Sequence, residues 1–118
     1  MKHLSNYENR PFSIIVRDKF REWLRSNPGK LSPAARLVML SLCEYANNRT
    51  GLAWPSASTL SEDNDLTRSS VFNALRQLEE YSLIRRKNRK ENTNQYRFFP
   101  DDHDISRLYL ESLVDRGG

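Results

Sequence analysis

The sequence predicts a mainly helical α+β domain ending in a small antiparallel sheet, and three observations carry that expectation. Apolar residues recur at helical spacing from Arg17 to Tyr81. Beyond Ile84 the pattern changes to two short strands around a polar turn. Cap and breaker residues punctuate the helical part, among them Ser32-Pro33, Thr67 and Asn27-Pro28-Gly29. The 118 residues suit one domain, and 37% hydrophobic against 29% charged residues suits a modest core under a large polar surface.

Met1–Arg10 is polar, with no apolar signal segment, and reads as a flexible arm (residues 1–10). Pro11–Val16 holds a β-prone run, Ile14-Ile15-Val16. From Arg17 the period is helical, with Phe20, Trp23 and Leu24 on one face, and Asn27-Pro28-Gly29 ends that helix near Ser26. Ser32 is an N-cap and Pro33 fits the first helical position of a second helix running to about Ala46. Leu37, Val38 and Leu40, with Met39, Leu42 and Cys43, give it a wide apolar face. Asn47–Gly51 is a turn cluster.

Leu52-Ala53-Trp54-Pro55 is expected to be extended, because a residue before proline avoids the α region. Ser56 caps a short helix, Ala57–Glu62, with Leu60 inward, and Asp63-Asn64-Asp65 breaks it. Thr67 caps the clearest helix of the chain, reaching Glu80. Its residues Val71, Ala74, Leu75 and Leu78 lie at i, i+3, i+4 and i+7, one narrow stripe expected to dock on Leu60, Leu66 and the Leu37/Leu40 face. Tyr81-Ser82 ends the helix, and Leu83-Ile84 returns the chain to the core. Two strands follow around a turn near Glu91–Asn94, and Pro100 stops the second. Residues 11–99 thus form the domain. Residues 100–118 read as a last helix, with Ile105, Leu108, Tyr109, Leu113 and Val114 on one side, either packing on Trp23 and Phe20 or pairing with its twin in a homodimer.

Short helix, tight turn, longer amphipathic helix and basic hairpin, in that order, describe a winged helix-turn-helix with additional terminal helices. Docking the stripe leaves the opposite face to solvent, and a helix fits the major groove, usually N-terminal end first. Thr67, Arg68, Ser69, Ser70, Phe72 and Asn73 are therefore the expected contacts to double-stranded DNA, with Ser56 at the preceding cap. Arg68 suits guanine and Asn73 suits adenine. Phe72 suits a thymine methyl, or else packs on Tyr81 or the wing. Arg76, further along, suits phosphate. The hairpin carries Arg85, Arg86, Lys87, Arg89, Lys90 and Arg97 against Glu91 alone, a local net charge of +5 within a chain of +4. Arg86, Lys87, Arg89, Lys90 and Asn92 are the expected wing contacts, gaining affinity by displacing counterions. From Pro100 onward the net is −3, so charge is sorted along the chain. The same features also suit a protein–protein adaptor meeting an acidic partner.

Leu31-Ser32-Pro33-Ala34-Ala35-Arg36-Leu37-Val38-Met39-Leu40, then Gly51-Leu52-Ala53-Trp54-Pro55-Ser56, Leu60, Leu66-Thr67, Val71, Ala74-Leu75, Leu78-Glu79 and Leu83-Ile84 resemble bacterial winged helix-turn-helix domains. The similarity is to those at the front of plasmid and phage replication initiators and in related regulators, and it spans about Leu31–Phe99. It implies sequence-specific duplex binding, often as a dimer, in replication initiation or transcriptional regulation, alongside further domains or replication and transcription proteins. Where such domains often have glycine in the motif turn, this chain has Asn64-Asp65, residue types that tolerate a left-handed backbone. Where they often have glycine before Leu-Ile, it has Tyr81-Ser82.

Catalysis and cofactors are not expected. His3 and His103 lack partners at a metal spacing, and Asp102-His103-Asp104 reads as the acidic first turn of a helix. Only four glycines occur, two of them terminal, so there is no phosphate-binding glycine loop. The lone Cys43 sits in an apolar run and reads as a buried thiol, which suits a cytoplasmic setting. No run of about 18 apolar residues is present to span a bilayer. The terminal Asp115-Arg116-Gly117-Gly118 suits a natural flexible end or a domain cut from a longer protein.

Overall fold

A computed structural model describes residues 10–88 and 94–105. Helix α1 spans Phe12–Ser26, and its inward residues Phe12, Ile15, Val16 and Phe20 fall at helical intervals. The run Ile14-Ile15-Val16 is thus helical rather than extended. Its β preference is a weak local term, and burying Ile15 and Val16 against the other helices outweighs it. Pro11 starts the helix, its carbonyl accepting from the N–H groups of Ile14 and Ile15 at 3.0 and 3.1 Å.

Helix α2, Pro33–Glu44, starts as expected, with Ser32 Oγ accepting the Ala35 N–H at 3.1 Å. Of the expected wide face, Val38, Met39, Leu42 and Cys43 are buried and Leu40 packs partly buried on the core, but Leu37 turns outward. Leu37 is 44% exposed, while Ala35, Val38, Met39 and Leu42 are fully buried. An all-round apolar helix offers several possible seams, and the one chosen repeats at i, i+3, i+4 and i+7. Cys43 is buried beside it, and burial pushes its thiol up to about 12 against the opposing pull of Arg17.

Strand β1 is Leu52–Ala53. Helix α3 spans Ala57–Asn64, two residues beyond the expected end, and α4 spans Arg68–Glu80. Strands β2, Ile84–Asn88, and β3, Asn94–Phe98, complete a three-stranded antiparallel sheet in the order β1-β3-β2. Ile84 lies opposite Phe98 and Arg86 opposite Tyr96, while β1 pairs Leu52 with Arg97. The order α2-β1-α3-α4-β2-β3, preceded by α1, is a winged helix-turn-helix.

One core serves both layers: Phe20, Met39, Leu42, Leu60, Leu75, Leu78, Tyr96 and Phe98 are each at most 1% exposed. Phe12 reaches the sheet, its ring 6.4 Å from that of Phe98. After β3, Asp102 caps a helical turn, Oδ1 accepting the Ile105 N–H at 3.0 Å, and Ile105 is buried. The remaining expected stripe, Leu108 to Val114, lies outside the described residues, as do the arm residues 1–9.

Lys19 Nζ sits 2.8 Å from Asp102 Oδ2, tying α1 to this turn. Burial alone would raise the Asp102 carboxyl, but hydrogen bonds from Lys19 and the Ile105 N–H outweigh it, and the net shift is downward. A carboxyl depressed on folding stabilises above its unfolded value near pH 4, and that contribution is lost as pH falls through the lower folded value. Asp102→Asn is expected to flatten the acid limb of a stability-against-pH curve below about pH 4, at a cost near neutrality within about 1 kcal/mol. Superimposable acid limbs from thermal melts would remove Asp102 from this role.

Candidate nucleic-acid interface

The helix-turn-helix is locked by short-range polar contacts at each corner. Ser56 Oγ accepts the Thr59 N–H at 3.0 Å and opens α3. Asp65 ends it in the left-handed region at φ 52°, the conformation that Asn and Asp tolerate best among residues with a Cβ. Leu66 N–H returns to the Ser61 carbonyl at 3.0 Å, while the Ser61 hydroxyl donates to the Leu66 carbonyl. Thr67 then caps α4, its Oγ1 accepting the Ser70 N–H at 3.0 Å. The turn without glycine therefore closes.

Both motif helices are also fixed to α2. The Asn64 amide donates to Ser41 Oγ at 2.8 Å and to the Leu60 carbonyl at 2.9 Å. Gln77 and Ser32 bond reciprocally: Ser32 N–H donates to Gln77 Oε1 at 3.0 Å, and Gln77 Nε2 donates to Ser32 Oγ at 3.1 Å. Tyr81 ends α4 and packs on Trp23 of α1, ring centroids 5.5 Å apart. Ser82 takes φ 56° where such domains often have glycine, and the chain turns into β2.

With those contacts made on one side, α4 presents the other to solvent. Val71, Ala74, Leu75 and Leu78 are buried, whereas Arg68, Ser69, Phe72, Asn73, Arg76 and Glu80 are exposed and Ser70 is half-buried. At 100° per residue, Ser69, Asn73, Arg76 and Glu80 lie along the centre of the open face. Arg76 Nη1 donates to Asn73 Oδ1 at 3.4 Å. Arg68 and Phe72 occupy one flank, the Arg68 guanidinium 5.9 Å from the Phe72 ring centroid. Phe72 and Tyr81 fall on opposite sides of α4 at 100° per residue; Tyr81 meets Trp23, while the Phe72 ring meets Arg68.

The wing divides its charge between two faces. Strand alternation sets Arg86 on the same side as the buried Ile84, facing α4. There Arg86 Nη2 meets Glu79 Oε1 at 2.8 Å, both side chains about 30% exposed. Arg86 is thus a brace between wing and helix rather than an outward cation. Lys87 is exposed on the other side, as is Arg85, 3.8 Å from Asp101. Arg89, Lys90 and Asn92 lie outside the described residues. Tyr96 anchors the sheet from within: burial raises its phenol, with the Asn94 amide donating to its oxygen at 3.3 Å.

Sequence reasoning left out Gln77, Glu79 and Glu80. Gln77 and Glu79 hold the helix from either flank, through partners 45 and 7 residues away, and helical periodicity carries no signal for either. Glu80 was legible from spacing alone. It is exposed on the open face one turn beyond Arg76, and a carboxylate there marks the end of the surface that an anion would favour.

Among the described residues no three His, Cys, Asp or Glu side chains gather to hold a metal ion, and no helix is long and apolar enough to cross a membrane. Residues 29–84 match the family model of a helix-turn-helix domain, a stretch that takes in α2, β1, α3 and α4 and stops at the first residue of β2. No curated protein and no solved structure shows significant similarity to the chain.

Proposed function

We propose that this domain binds double-stranded DNA sequence-specifically, with α4 in the major groove and the wing along the flanking backbone. The observation that carries the reading is the division of α4. Its apolar stripe is entirely buried, while Ser69, Asn73 and Arg76, flanked by Arg68 and Phe72, stand exposed on a helix held at both flanks. A helix whose backbone is already held in place pays no ordering cost for it on binding, so such a face reads base edges at lower cost. Thr67 and Ser56 set the N-termini of α4 and α3, where free amides favour phosphate. Ser70, half-buried beside the Thr67 cap, lies at the edge of that surface.

Lys87 supplies wing charge, with Arg89, Lys90 and Asn92 in the stretch that follows. The resemblance of Leu31–Phe99 to plasmid and phage initiator domains supports a role in replication initiation or transcriptional regulation. A homodimer would set two such helices on half-sites about one helical turn apart.

The test is a salt titration of binding to labelled duplexes, followed by anisotropy. Affinity should fall linearly on a log–log plot, with a slope of about −0.9 per phosphate neutralised. Changing Lys87, Arg89 and Lys90 together to alanine should weaken all sequences alike and flatten the slope by up to about 1 per residue. If no duplex binds at low salt while an acidic polypeptide does, the adaptor reading replaces this one.

A further inference from the structure

We propose that Arg68 and Phe72 act as one reading unit for a pyrimidine–guanine step whose pyrimidine carries a 5-methyl group, TpG or 5-methyl-CpG. This rests on the DNA-binding reading above and adds to it a base step and the chemistry that selects it.

The two residues lie four apart, one helical turn, so they share a flank of α4. Phe72 is 40% exposed and is the one exposed aromatic ring on the solvent side of α4. The contact the structure gives its ring is the Arg68 guanidinium, 5.9 Å from the centroid. A guanidinium held over an aromatic face keeps its edge N–H groups available, and that edge matches O6 and N7 of guanine. The ring also limits the rotamers open to Arg68, which is otherwise a long exposed side chain.

Phe72 itself has no polar atom to offer a base. The one apolar group on the major-groove edges of the four bases is the C5-methyl of thymine, and 5-methylcytosine carries the same methyl at the same atom. In B-form DNA the C5 substituent of a pyrimidine stands beside an arginine bound to the guanine on its 3′ side. The guanidinium carbon and the ring centroid lie 5.9 Å apart, and the edges of both groups extend into that gap, which brings them toward the rise of about 3.4 Å between successive bases of a strand. Arginine takes the guanine, and the ring and guanidinium plane together cover the methyl.

The experiment begins with selection of bound sites from a random duplex pool by the whole chain. The selected site is then remade with T, U, 5-methylcytosine or C before the guanine, and binding is compared by anisotropy at fixed salt. T should bind about three- to fivefold tighter than U, and 5-methylcytosine tighter than C by the same factor, the worth of one buried methyl. Phe72→Ala should erase both ratios while a guanine preference, weakened by the freer Arg68, remains, and the thermal melt should shift little because Phe72 lies outside the core cluster. Arg68→Ala should cost about tenfold or more at the guanine. Equal binding of T and U, or a selected site without a pyrimidine–guanine step, overturns this proposal and leaves DNA binding standing. Absence of any duplex binding at low salt overturns both.

Discussion

Leu75→Ala is expected to destabilise the domain by about 2–5 kcal/mol, the usual cost of emptying a fully buried leucine site. Leu75 is 0% exposed in the core shared by α2, α3 and α4. Total stability for a domain of this size is about 5–15 kcal/mol, so the variant should lose a large part of it. Urea unfolding should show a lower midpoint with little change in slope, since the same surface is exposed. The neighbouring change Arg76→Ala should stay within about 0.5 kcal/mol, because Arg76 is exposed and bonded only to Asn73 among its described contacts. The register of α2 is tested in the same way. Val38→Ala should cost more than Leu37→Ala, since Val38 is 0% and Leu37 44% exposed. Equal losses at 37 and 38 would return Leu37 to the buried face, and a loss under about 1 kcal/mol at Leu75 would remove the stripe from the core.

What was legible in the sequence was local. The α4 stripe, the Ser32-Pro33 start, and the Ser56 and Thr67 caps each need only residues within one turn, and each formed as expected. The tolerance of Asp65 for a left-handed backbone is likewise a property of one residue. Three features depended on distant partners. Ile14-Ile15-Val16 is β-prone in isolation and became helical because Phe12, Ile15, Val16 and Phe20 bury one helical face. The α2 seam was ambiguous because apolar residues surround that helix, and what α4 presents to it decides. The inward turn of Arg86 was partly legible. Period-two alternation from the apolar Ile84 puts Arg86 on the core side, so a count of six wing cations overstated the outward charge.

The same partners explain why the open face of α4 is fixed in space. Gln77 holds it to α2, Glu79 holds it to β2, and Tyr81 packs its C-terminal end on α1. Three elements thus grip the C-terminal half, while the N-terminal half is held by the buried Val71 and by the Leu66–Ser61 contacts of the turn. In the proposed complex with DNA, a helix held in this way would present Ser69, Asn73 and Arg76 to the groove without rearranging.

Asn73→Ala is therefore expected to lower affinity for the preferred site by about 1–3 kcal/mol, roughly 5- to 150-fold, through loss of discrimination at one base pair. Binding to unrelated duplexes should barely change, and the salt slope should stay the same, because no charge is removed. Arg76→Ala should behave in the opposite way, weakening all sequences and reducing the slope by about 1. The two are not independent. Arg76 Nη1 donates to Asn73 Oδ1 at 3.4 Å, which orients the amide and occupies one of its lone pairs. An amide so held presents Nδ2 and the second lone pair outward, the donor–acceptor pair that adenine accepts. The double variant should thus lose less than the sum of the single losses, by about 0.5 kcal/mol or more, as contacting residues do. Strict additivity would mean that Asn73 meets its base without help from Arg76. A uniform loss across sequences for Asn73→Ala would move Asn73 to the backbone, and the specificity of the domain would then fall to Arg68, Ser69 and Phe72 at the front of the helix.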